Sequence, residues 1–239
     1  MRFALSPRAD LDELASCFAK DGFVSIEPFL SDSTARALAM DLSQRSDWVE
    51  VLRGERETFD MPVAAFEALE PEQRRRLEDL VWQRAATEFQ FRFRSVRVPD
   101  VRRERKPHED VVHGFAEFMC SDASLELMRR LTGIPEISFA DAQATAYSAG
   151  HFLTSHDDDV AGKGRVAAYV LSLTDDWSAD WGGHLVFPGQ GTISGFMPGF
   201  NCLRIFAVPR PHSVTFVPPF VTATRYSVTG WLRTGEPDN

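Results

Sequence analysis

The chain is poor in cysteine and contains no long apolar run. Its three cysteines, Cys17, Cys120 and Cys202, lie far apart and match no metal-binding or redox spacing. So sparse a count argues against a disulfide framework and favours a reducing compartment. No run approaches the roughly 18 apolar residues of a membrane-spanning helix, and the segment from Met1 to Asp10 lacks the apolar core of a secretion signal. We therefore expect a soluble, cytoplasmic protein with no membrane partner.

The chain also lacks the basic excess that is typical of nucleic-acid-binding proteins. Its net charge is −9 at pH 7, so binding through neutralised phosphates is not expected. Hydrophobic residues make up 44% and charged residues 26% of the sequence, which is ordinary for a globular protein with a sizeable core. Because we find neither an internal repeat nor a linker, we expect residues 1–239 to form a single domain. The sequence leaves the oligomeric state open.

Helical periodicity dominates the first part of the chain, up to about residue 140. Asp10 and Glu13 are predicted to form a capping box for a helix that ends at Gly22. Residues 23–29 are a predicted strand, and Pro71 is predicted to open a further helix. The apolar faces of the predicted helices comprise Leu38, Leu42 and Trp48; Leu77, Leu80, Val81, Ala85 and Phe89; Val112, Phe115 and Met119; and Leu125, Met128 and Leu131.

Beyond residue 140 the apolar residues alternate with a period of two, which predicts short β-strands. Clusters of Gly, Pro and Asp separate these strands. Short strands at this spacing favour a sandwich or jelly roll. We therefore expect a mainly β fold with flanking helices, in which residues 1–140 are mainly helical support and residues 141–233 form the β core that carries the site. The predicted strands are 143–149, 165–173, 184–187, 201–208, 212–217 and 225–232.

Two histidines and an aspartate in the β region form a chemically specific pattern. On a strand, residues i and i+2 face the same way, so His156 and Asp158 are expected to point inward while Asp157 and Asp159 point away. His212 begins a later predicted strand and supplies a second imidazole. Two histidines and one carboxylate with open coordination positions are typical of non-heme Fe(II) oxygenases. A bound dication would also offset the repulsion among the adjacent aspartates.

Other histidines compete for the role of metal ligand. A lone His-x-Asp pattern occurs often by chance, so the ordered combination with a distant histidine carries more weight than either part. His151 lies shortly before the pattern, and His184 begins a predicted strand; for both, a structural or surface role is the simpler interpretation. His108 and His113 lie in the helical part and are interpreted as surface or capping residues.

Arg225 indicates that the site also takes an acidic cosubstrate. Strand alternation places Arg225, Ser227, Thr229 and Trp231 on one face of the last predicted strand. A buried arginine needs a partner, and a bidentate carboxylate matches the guanidinium geometry. Ser227 could add a hydroxyl to the same carboxylate, and Tyr147 could donate its phenol. The alternative is a salt bridge between Arg225 and an aspartate of the core.

The ordered residues resemble the 2-oxoglutarate and Fe(II)-dependent dioxygenases, specifically their prolyl 4-hydroxylase-like branch. The run from His156 through three aspartates, followed by a strand and a Trp-Gly-Gly turn, is similar to ribosomal-protein prolyl hydroxylases. The resemblance covers about residues 140–233, and its matching stretches are Tyr147 to Asp158, Trp181 to Phe187, Pro211 to Val214, and Arg225 to Trp231.

The resemblance implies a double-stranded β-helix (jelly-roll, cupin-like) core. It implies hydroxylation of a substrate C–H bond, with a prolyl residue as the expected target, and release of succinate and CO2. Fe(II) and 2-oxoglutarate are the implied cofactors, O2 is the cosubstrate, and ascorbate is expected to support turnover. No side chain is expected to act as a catalyst beyond the metal centre. The implied metal ligands are His156, Asp158 and His212, and the implied cosubstrate-binding residues are Arg225, Tyr147 and Ser227.

Two other functional interpretations stay open from the sequence. In the first, the hydroxylase acts on a small molecule or a free amino acid instead of a protein. In the second, the chain is a non-catalytic, cupin-like binding module. A zinc hydrolase would need an activating carboxylate near an open zinc position, and it is disfavoured because no H-E-x-x-H pattern occurs.

Two further features have both a structural and a functional interpretation. The segment 92–106, which is rich in arginine, is either a solvated strand and loop or a contact surface for an acidic or polar substrate. Trp177 and Trp181 precede the Gly182-Gly183 turn, where they either border the pocket entrance or pack in the core.

Overall fold

The structure, a computed structural model, describes residues 2–54 and 57–235, and these contain six α-helices and thirteen β-strands. The helices are α1 (Leu11–Asp21), α2 (Asp32–Gln44), α3 (Val63–Glu67), α4 (Pro71–Ala85), α5 (Val111–Met119) and α6 (Asp122–Thr132). The strands are β1 (Phe23–Ile26), β2 (Val49–Arg53), β3 (Thr58–Pro62), β4 (Phe91–Arg97), β5 (Ile137–Ala140), β6 (Gln143–Tyr147), β7 (Phe152–His156), β8 (Arg165–Leu173), β9 (Leu185–Pro188), β10 (Ile193–Phe196), β11 (Phe200–Ala207), β12 (His212–Val214) and β13 (Arg225–Thr234).

Local capping is seen at the C-terminal end of α1 and at the start of α4. As predicted, α1 stops before Gly22, whose φ of 69° lies in the left-handed region that favours glycine. The predicted capping box before α1 is wrong, because the Asp10 carboxylate pairs with Arg8 and makes no bond to a helix N–H. A capping box is found at α4 instead, where the side chain of Gln73 accepts a hydrogen bond from the Glu70 backbone N–H at 3.2 Å.

The apolar stripe predicted along α4 is only partly correct. The helix opens at Pro71 as predicted and buries Val81. However, Leu80 is 51% exposed, and Phe89 lies beyond the end of the helix. Trp48 is likewise buried outside α2, in the segment that leads into β2. In both cases an apolar residue keeps the 3.6-residue helical spacing beyond the last residue of the helix. The prediction extended the helix to that residue because the sequence carries no strong stop signal before it.

The strands pair antiparallel throughout the described residues and curl into a half-barrel of the jelly-roll type, which confirms the predicted fold class. The longest path through the sheet runs β1-β11-β8-β13-β6-β4-β7-β12-β9-β10. The prediction for residues 165–173 matches β8, whereas the strand predicted for 212–217 ends at Val214. After Val214 the chain bonds to the turn at Gly183 and His184 instead of extending the ladder. β7 was not among the predicted strands, although it carries His156.

The main hydrophobic core lies between the helices and one face of this sheet. The stripes predicted for α5 and α6 are confirmed, since all six of their residues are buried. On β13, Tyr226 and Val228 pack against this helix-side core. The alternating residues Arg225 and Ser227 therefore face the opposite side of the sheet, so the strand that closes the core also supplies the site.

The arginine-rich segment is used mainly in ion pairs within the chain. Within this segment, Arg103 is exposed and forms no ion pair with the described residues. Most of the segment therefore has the structural role that the sequence left open. The pairs are Arg92 with Glu50 and Glu78, Arg94 with Glu50 and Glu67, Arg97 with Asp60, Arg102 and Arg105 with Glu117, and Lys106 with Glu109.

None of the helices in the described part of the chain combines the length and apolarity needed to cross a membrane.

Candidate active site

Strand pairing brings the two predicted histidine ligands together. His156 is the last residue of β7 and His212 is the first residue of β12, and the two are direct partners in the antiparallel register. Their ring centroids are 4.1 Å apart. Two residues that are far apart in sequence thus become neighbours through the register of β7 and β12.

Asp158 reaches the same point by a route that strand alternation did not predict. β7 ends at His156, and Asp158 lies in the loop with φ of 64°, a left-handed conformation that aspartate adopts more readily than most residues. Its Oδ1 lies 3.4 Å from Nε2 of His156, and its Oδ2 lies 3.4 Å from Nε2 of His212. The expectation that these residues face inward together is met, but the reason given for it was wrong, because a turn and not a strand directs the carboxylate.

The neighbouring aspartates take no part in this group. Asp157 is exposed, and its carboxylate accepts a hydrogen bond from the backbone N–H of Asp159 at 3.1 Å. Its carbonyl accepts from the backbone N–H of Arg210, just before β12. Asp157 therefore shapes the loop, and in doing so it ties the loop to the strand that carries His212.

Hydrogen bonds set the tautomer of both imidazoles. Nδ1 of His156 lies 3.0 Å from the carbonyl oxygen of Thr154, and Nδ1 of His212 lies 2.8 Å from that of Arg210. Because a carbonyl oxygen can only accept, each Nδ1 carries the proton and each Nε2 presents a lone pair. Two nitrogen lone pairs and a carboxylate then converge within 4.8 Å. This donor set fits a borderline divalent cation such as Fe(II), and carbonyl-oriented histidines are the usual support for such a site.

The protonation states also suit a metal. Burial raises the pKa of the Asp158 carboxyl, but its contacts with His156 and His212 outweigh burial and hold the pKa below its ordinary value. Burial lowers the pKa of His212, and the adjacent His156 lowers it further. An ionised carboxylate and a neutral imidazole are the forms that bind metal ions.

Arg225 is a buried cation with no ion-pair partner among the described residues. It is 3% exposed, and its Nε and Nη1 atoms have no hydrogen-bond partner. Among the described residues it forms no ion pair, so the alternative of a salt bridge to a core aspartate is not borne out. Burial lowers its pKa, and a lone buried charge is costly. The guanidinium therefore fits an anionic ligand.

The residues around Arg225 line one small cavity, of about 80 Å³, together with the metal-site residues. Tyr147 is the register partner of Arg225 on β6, and the guanidinium carbon lies 5.1 Å from its ring centroid. Ser227 is fully buried, with its hydroxyl 2.8 Å from that of Thr145. Thr145 was missed by the sequence reasoning, although it lies two residues before Tyr147 on β6 and therefore on the same face of that strand.

The rival histidines lie elsewhere. His151 is 2% exposed, and its Nδ1 accepts from the backbone N–H of Ser148 at 3.0 Å, so its Nε2–H donates to Glu50 at 2.9 Å. His184 begins the turn into β9, where burial and the charge of Arg225 lower its pKa. His113 caps a turn by accepting from the Lys106 backbone N–H. Only His156 and His212 contribute imidazoles to the metal-like group found among the described residues.

The two tryptophans before the glycine turn favour the packing interpretation. Trp177 is 7% exposed, and its Nε1–H donates to the carbonyl of Gly182 at 2.9 Å. Trp181 meets it edge to face, with ring centroids 5.3 Å apart. Neither lines the cavity at Arg225 or the groove beside it. Gly182 itself is required, because a Cβ there would lie 1.9 Å from the carbonyl oxygen of Phe216.

A wider groove, of about 470 Å³, is also lined by His156 and Asp158. One wall is aromatic and comes from the start of β4 and the segment before it, where Phe89, Phe91 and Phe93 follow each other at ring-centroid separations of 5.5 and 5.6 Å. The metal-like group thus borders both the smaller cavity, which contains Arg225, and the wider groove, an arrangement that can hold a small acid in one and a larger molecule in the other.

Comparisons with known proteins agree with this geometry. Residues 142–233 match the sequence model of the 2OG-Fe(II) oxygenase superfamily, whereas no curated protein matches the chain. Among solved structures, the fold is similar to a prolyl-4-hydroxylase from Pseudomonas putida, at 20% identity and a TM-score of 0.63 over 94% of this chain and 99% of that chain.

Two further solved structures share the fold. One is an oxidoreductase of the 2OG-Fe(II) oxygenase family from Burkholderia pseudomallei, at 16% identity and a TM-score of 0.62 over 99% of this chain and 96% of that chain. The other is a prolyl hydroxylase from Trichoplax adhaerens in complex with a hypoxia inducible factor oxygen degradation domain peptide fragment, at 17% identity and a TM-score of 0.60 over 94% and 89% of the two chains. The sequence match over the β core and this common architecture lead to one conclusion: residues 142–233 are similar to the 2OG-Fe(II) oxygenase superfamily, and the chain shares its fold with prolyl hydroxylases.

Proposed function

We propose that this protein is an Fe(II)- and 2-oxoglutarate-dependent hydroxylase that acts on a prolyl residue, with His156, Asp158 and His212 as its metal ligands. One observation carries the proposal: the three ligand atoms and a buried, unpartnered Arg225 line the same cavity. The combination of three metal ligands and a buried arginine suits a metal ion that also binds an organic acid.

In this proposal Arg225 holds the far carboxylate of 2-oxoglutarate. Its Nε and Nη1 have no hydrogen-bond partner among the described residues, so N–H donors of the guanidinium are available to a carboxylate. The hydroxyls of Ser227 and Thr145 and the phenol of Tyr147 lie on the same cavity wall, where they can orient that carboxylate. Bound Fe(II) and 2-oxoglutarate supply the oxidation chemistry: O2 is consumed, 2-oxoglutarate becomes succinate and CO2, and one oxygen atom enters the substrate C–H bond.

The protein's own contribution is position and exclusion of water. The Thr154 and Arg210 carbonyls hold the two imidazoles in the tautomer that presents Nε2. The aromatic rings of Phe187 and Phe206 pack against His212, at ring-centroid distances of 6.4 and 4.5 Å. These contacts restrict ring motion and keep that side of the ligand group dry.

A prolyl target is supported by the fold and by the groove. Two of the similar structures are prolyl hydroxylases, and one of them is in complex with a peptide. The groove beside His156 has an aromatic wall, which suits the apolar ring of proline, and it is open enough for a chain to enter. We further propose that residues 1–239 work as one oxygenase domain, that the protein acts in the cytoplasm, and that ascorbate supports its turnover.

Purified protein tests the proposal directly. With Fe(II), O2 and prolyl peptides, succinate should form only when 2-oxoglutarate is supplied, and peptides should gain the mass of one oxygen atom. The His156→Ala variant should lose this activity. His108 is an exposed histidine that is not part of the ligand group and lines neither cavity, so His108→Ala is the matched control and should stay active. Full turnover by His156→Ala would refute the ligand assignment.

A further inference from the structure

The three candidate metal ligands differ in how the fold holds them. His156 ends β7 and His212 begins β12, and the antiparallel register pairs the two residues directly. Asp158 instead lies in the loop that joins β7 to β8, and most residues of this loop are exposed. Its φ of 64° is uncommon for a residue other than glycine. The strand ladder therefore does not fix the carboxylate, and other contacts must hold Asp158 in this conformation.

A side chain at the start of the next strand makes such a contact. Nη1 of Arg165, the first residue of β8, donates a hydrogen bond to the backbone carbonyl oxygen of Asp158 at 3.2 Å. A second contact reaches the loop one residue earlier, where the Asp157 carbonyl accepts from the backbone N–H of Arg210 at 3.3 Å. The Arg210 bond joins backbone atoms, so of these two contacts only the bond from Arg165 depends on the identity of a side chain.

An aromatic ring positions the Arg165 guanidinium. Its central carbon lies 3.5 Å from the centroid of the Trp231 ring, well within the distance of a cation–π contact. Among the described residues Arg165 forms no ion pair with a carboxylate. A planar guanidinium can stack on an indole, whereas a lysine ammonium offers only a point charge. The contact with Trp231 therefore sets the direction in which the guanidinium donates.

Trp231 in turn belongs to the part of the core that supports His212. Its ring packs against an apolar cluster that includes Phe187 and Phe206, and both of these rings contact the His212 imidazole. The Trp231 backbone N–H is also held, because it donates to the carboxylate of Asp141 at 2.7 Å. The guanidinium thus joins the loop that carries the carboxylate ligand to the apolar cluster beside one of the imidazoles.

We propose that Arg165 is a positioning residue of the metal site, which keeps the Asp158 carboxylate directed at the two imidazoles through its bond to the Asp158 carbonyl and its contact with Trp231. This inference rests on the ligand role of Asp158 in the proposed function, and it adds a residue that acts through the backbone of that ligand. Arg165 does not line the cavity that contains Arg225, so its role is separate from cosubstrate binding.

Arg165 also affects a bound metal ion through its charge, and this effect has the opposite sign. A guanidinium near a dication repels it, so loss of the charge by itself would strengthen metal binding. Loss of positioning would weaken metal binding, and substitution of residues that orient metal ligands typically reduces metal affinity by about 10–100-fold. We expect the positioning effect to be the larger, because solvent and salt screen the charge of this half-buried side chain. The direction of the change in affinity therefore separates the two roles.

Metal affinity measured without turnover provides the test. Mn(II), a redox-stable dication, is added to the full chain in the absence of 2-oxoglutarate, and the electron paramagnetic resonance signal of free Mn(II) gives the affinity. Arg165→Met should bind Mn(II) about 10–100-fold more weakly than the wild type. Arg165→Lys keeps the charge but lacks the planar face that stacks on Trp231, so it should bind no more tightly than Arg165→Met. Arg103→Met, at an exposed arginine that lines neither cavity, should bind as the wild type does.

Binding is measured well below the metal-free Tm of each variant, so that only folded proteins are compared. If Arg165→Met does not fold, Arg165→Lys is compared with Arg103→Lys instead. Equal or tighter binding by Arg165→Met, wild-type affinity in Arg165→Lys, or an equal loss in Arg103→Met would overturn the inference. A wild-type chain that binds Mn(II) no better than His156→Ala would instead refute the ligands of the proposed function, and with them the basis of this inference.

Discussion

Glu50 and Arg225 are both buried charged residues, and they differ in whether the chain supplies their partners. Glu50 is 0% exposed and accepts hydrogen bonds from Arg92 at 2.7 Å, Arg94 at 3.2 Å and His151 at 2.9 Å. Arg225 is 3% exposed and has two nitrogen atoms with no partner. A charge whose contacts are complete stabilises the fold, whereas a charge whose contacts are missing is available to a ligand.

The two clusters lie close to each other along the chain. His151, which completes the Glu50 cluster, lies in the turn between β6, which carries Tyr147, and β7, which carries His156. The Glu50 cluster therefore anchors the turn between Tyr147, a candidate cosubstrate-binding residue, and His156, a candidate metal ligand. The following predictions use this contrast, in order of decreasing effect.

The largest effect is expected on activity from the metal group. Asp158→Ala removes the only carboxylate of that group, and we expect turnover to fall by more than about 100-fold, beyond the loss usual for residues that merely support metal ligands. The fold should persist, because Asp158 lies in a loop. Succinate formation and the Tm measure the two effects. Asp159→Ala is the control, since Asp159 is exposed, and a loss of activity as large as that of Asp158→Ala would argue against a specific ligand role.

The next effect is on stability. Glu50→Gln leaves Arg92 and Arg94 without their buried counter-charge, and removing one partner of a buried pair typically costs about 3–5 kcal/mol. Chemical denaturation gives the free energy of unfolding. A variant as stable as the wild type would show that the cluster does not act as a self-sufficient ionic network.

The same cluster predicts a pH dependence. Burial would raise the pKa of Glu50, but contacts with His151 and Arg92 hold it at about 2, against an ordinary value of 4.5. Because the pKa of Glu50 is lower in the folded than in the unfolded state, Glu50 contributes about 3 kcal/mol of stability at pH values above about 4.5. This contribution is lost as the pH falls from about 4.5 towards 2. Burial also lowers the pKa of His151. The protein therefore loses further stability as the pH falls below the pKa that His151 has in the unfolded chain. Unfolding measured across this pH range should show a shallower decline for Glu50→Gln than for the wild type.

Arg225 should behave in the opposite way. Arg225→Met removes a buried charge that has no ion-pair partner among the described residues, so we expect the free energy of unfolding without ligand to stay level or to rise. The KM for 2-oxoglutarate should rise by about tenfold or more, since hydrogen bonds to a charged group contribute about 1.5–3 kcal/mol. The equivalent change at the paired residue, Arg92→Met, should lower stability instead. If Arg225→Met destabilised the apoprotein as much as Arg92→Met, the contrast between the two clusters would fail.

The smallest effect is expected at the hydroxyl pair. Ser227→Ala removes the 2.8 Å contact with Thr145 and one candidate contact to the cosubstrate, so the KM for 2-oxoglutarate should rise by a few-fold, in keeping with about 0.5–1.5 kcal/mol for a neutral hydrogen bond. Thr234→Ala, on the same strand but outside the cavity, should leave this KM unchanged. An unchanged KM in Ser227→Ala would limit the pair to a role in packing β13 against β6.

Much of the site could be predicted from local patterns. Alternation along β13 placed Arg225 and Ser227 on one face, and residue chemistry selected His156, Asp158 and His212 as a group. The same reasoning failed where local geometry departs from regularity: the capping box at Asp10 does not form, because Arg8 competes for the carboxylate. Thr145 was overlooked, although its position two residues before Tyr147 was available to the same argument.

The sequence by itself determined the kinds of atoms in this protein's site, because two imidazoles, a carboxylate and a distant guanidinium are matters of composition and order. It also determined the period-two pattern that makes the C-terminal part a β core. Only the tertiary structure decided how those atoms meet. The register of β7 and β12 sets His156 opposite His212, a left-handed residue turns Asp158 back to them, and pairings far along the chain satisfy Glu50 but leave Arg225 open. Such contacts depend on which strands become neighbours, and strand neighbours are fixed by packing over the whole sheet and not by any local run of residues.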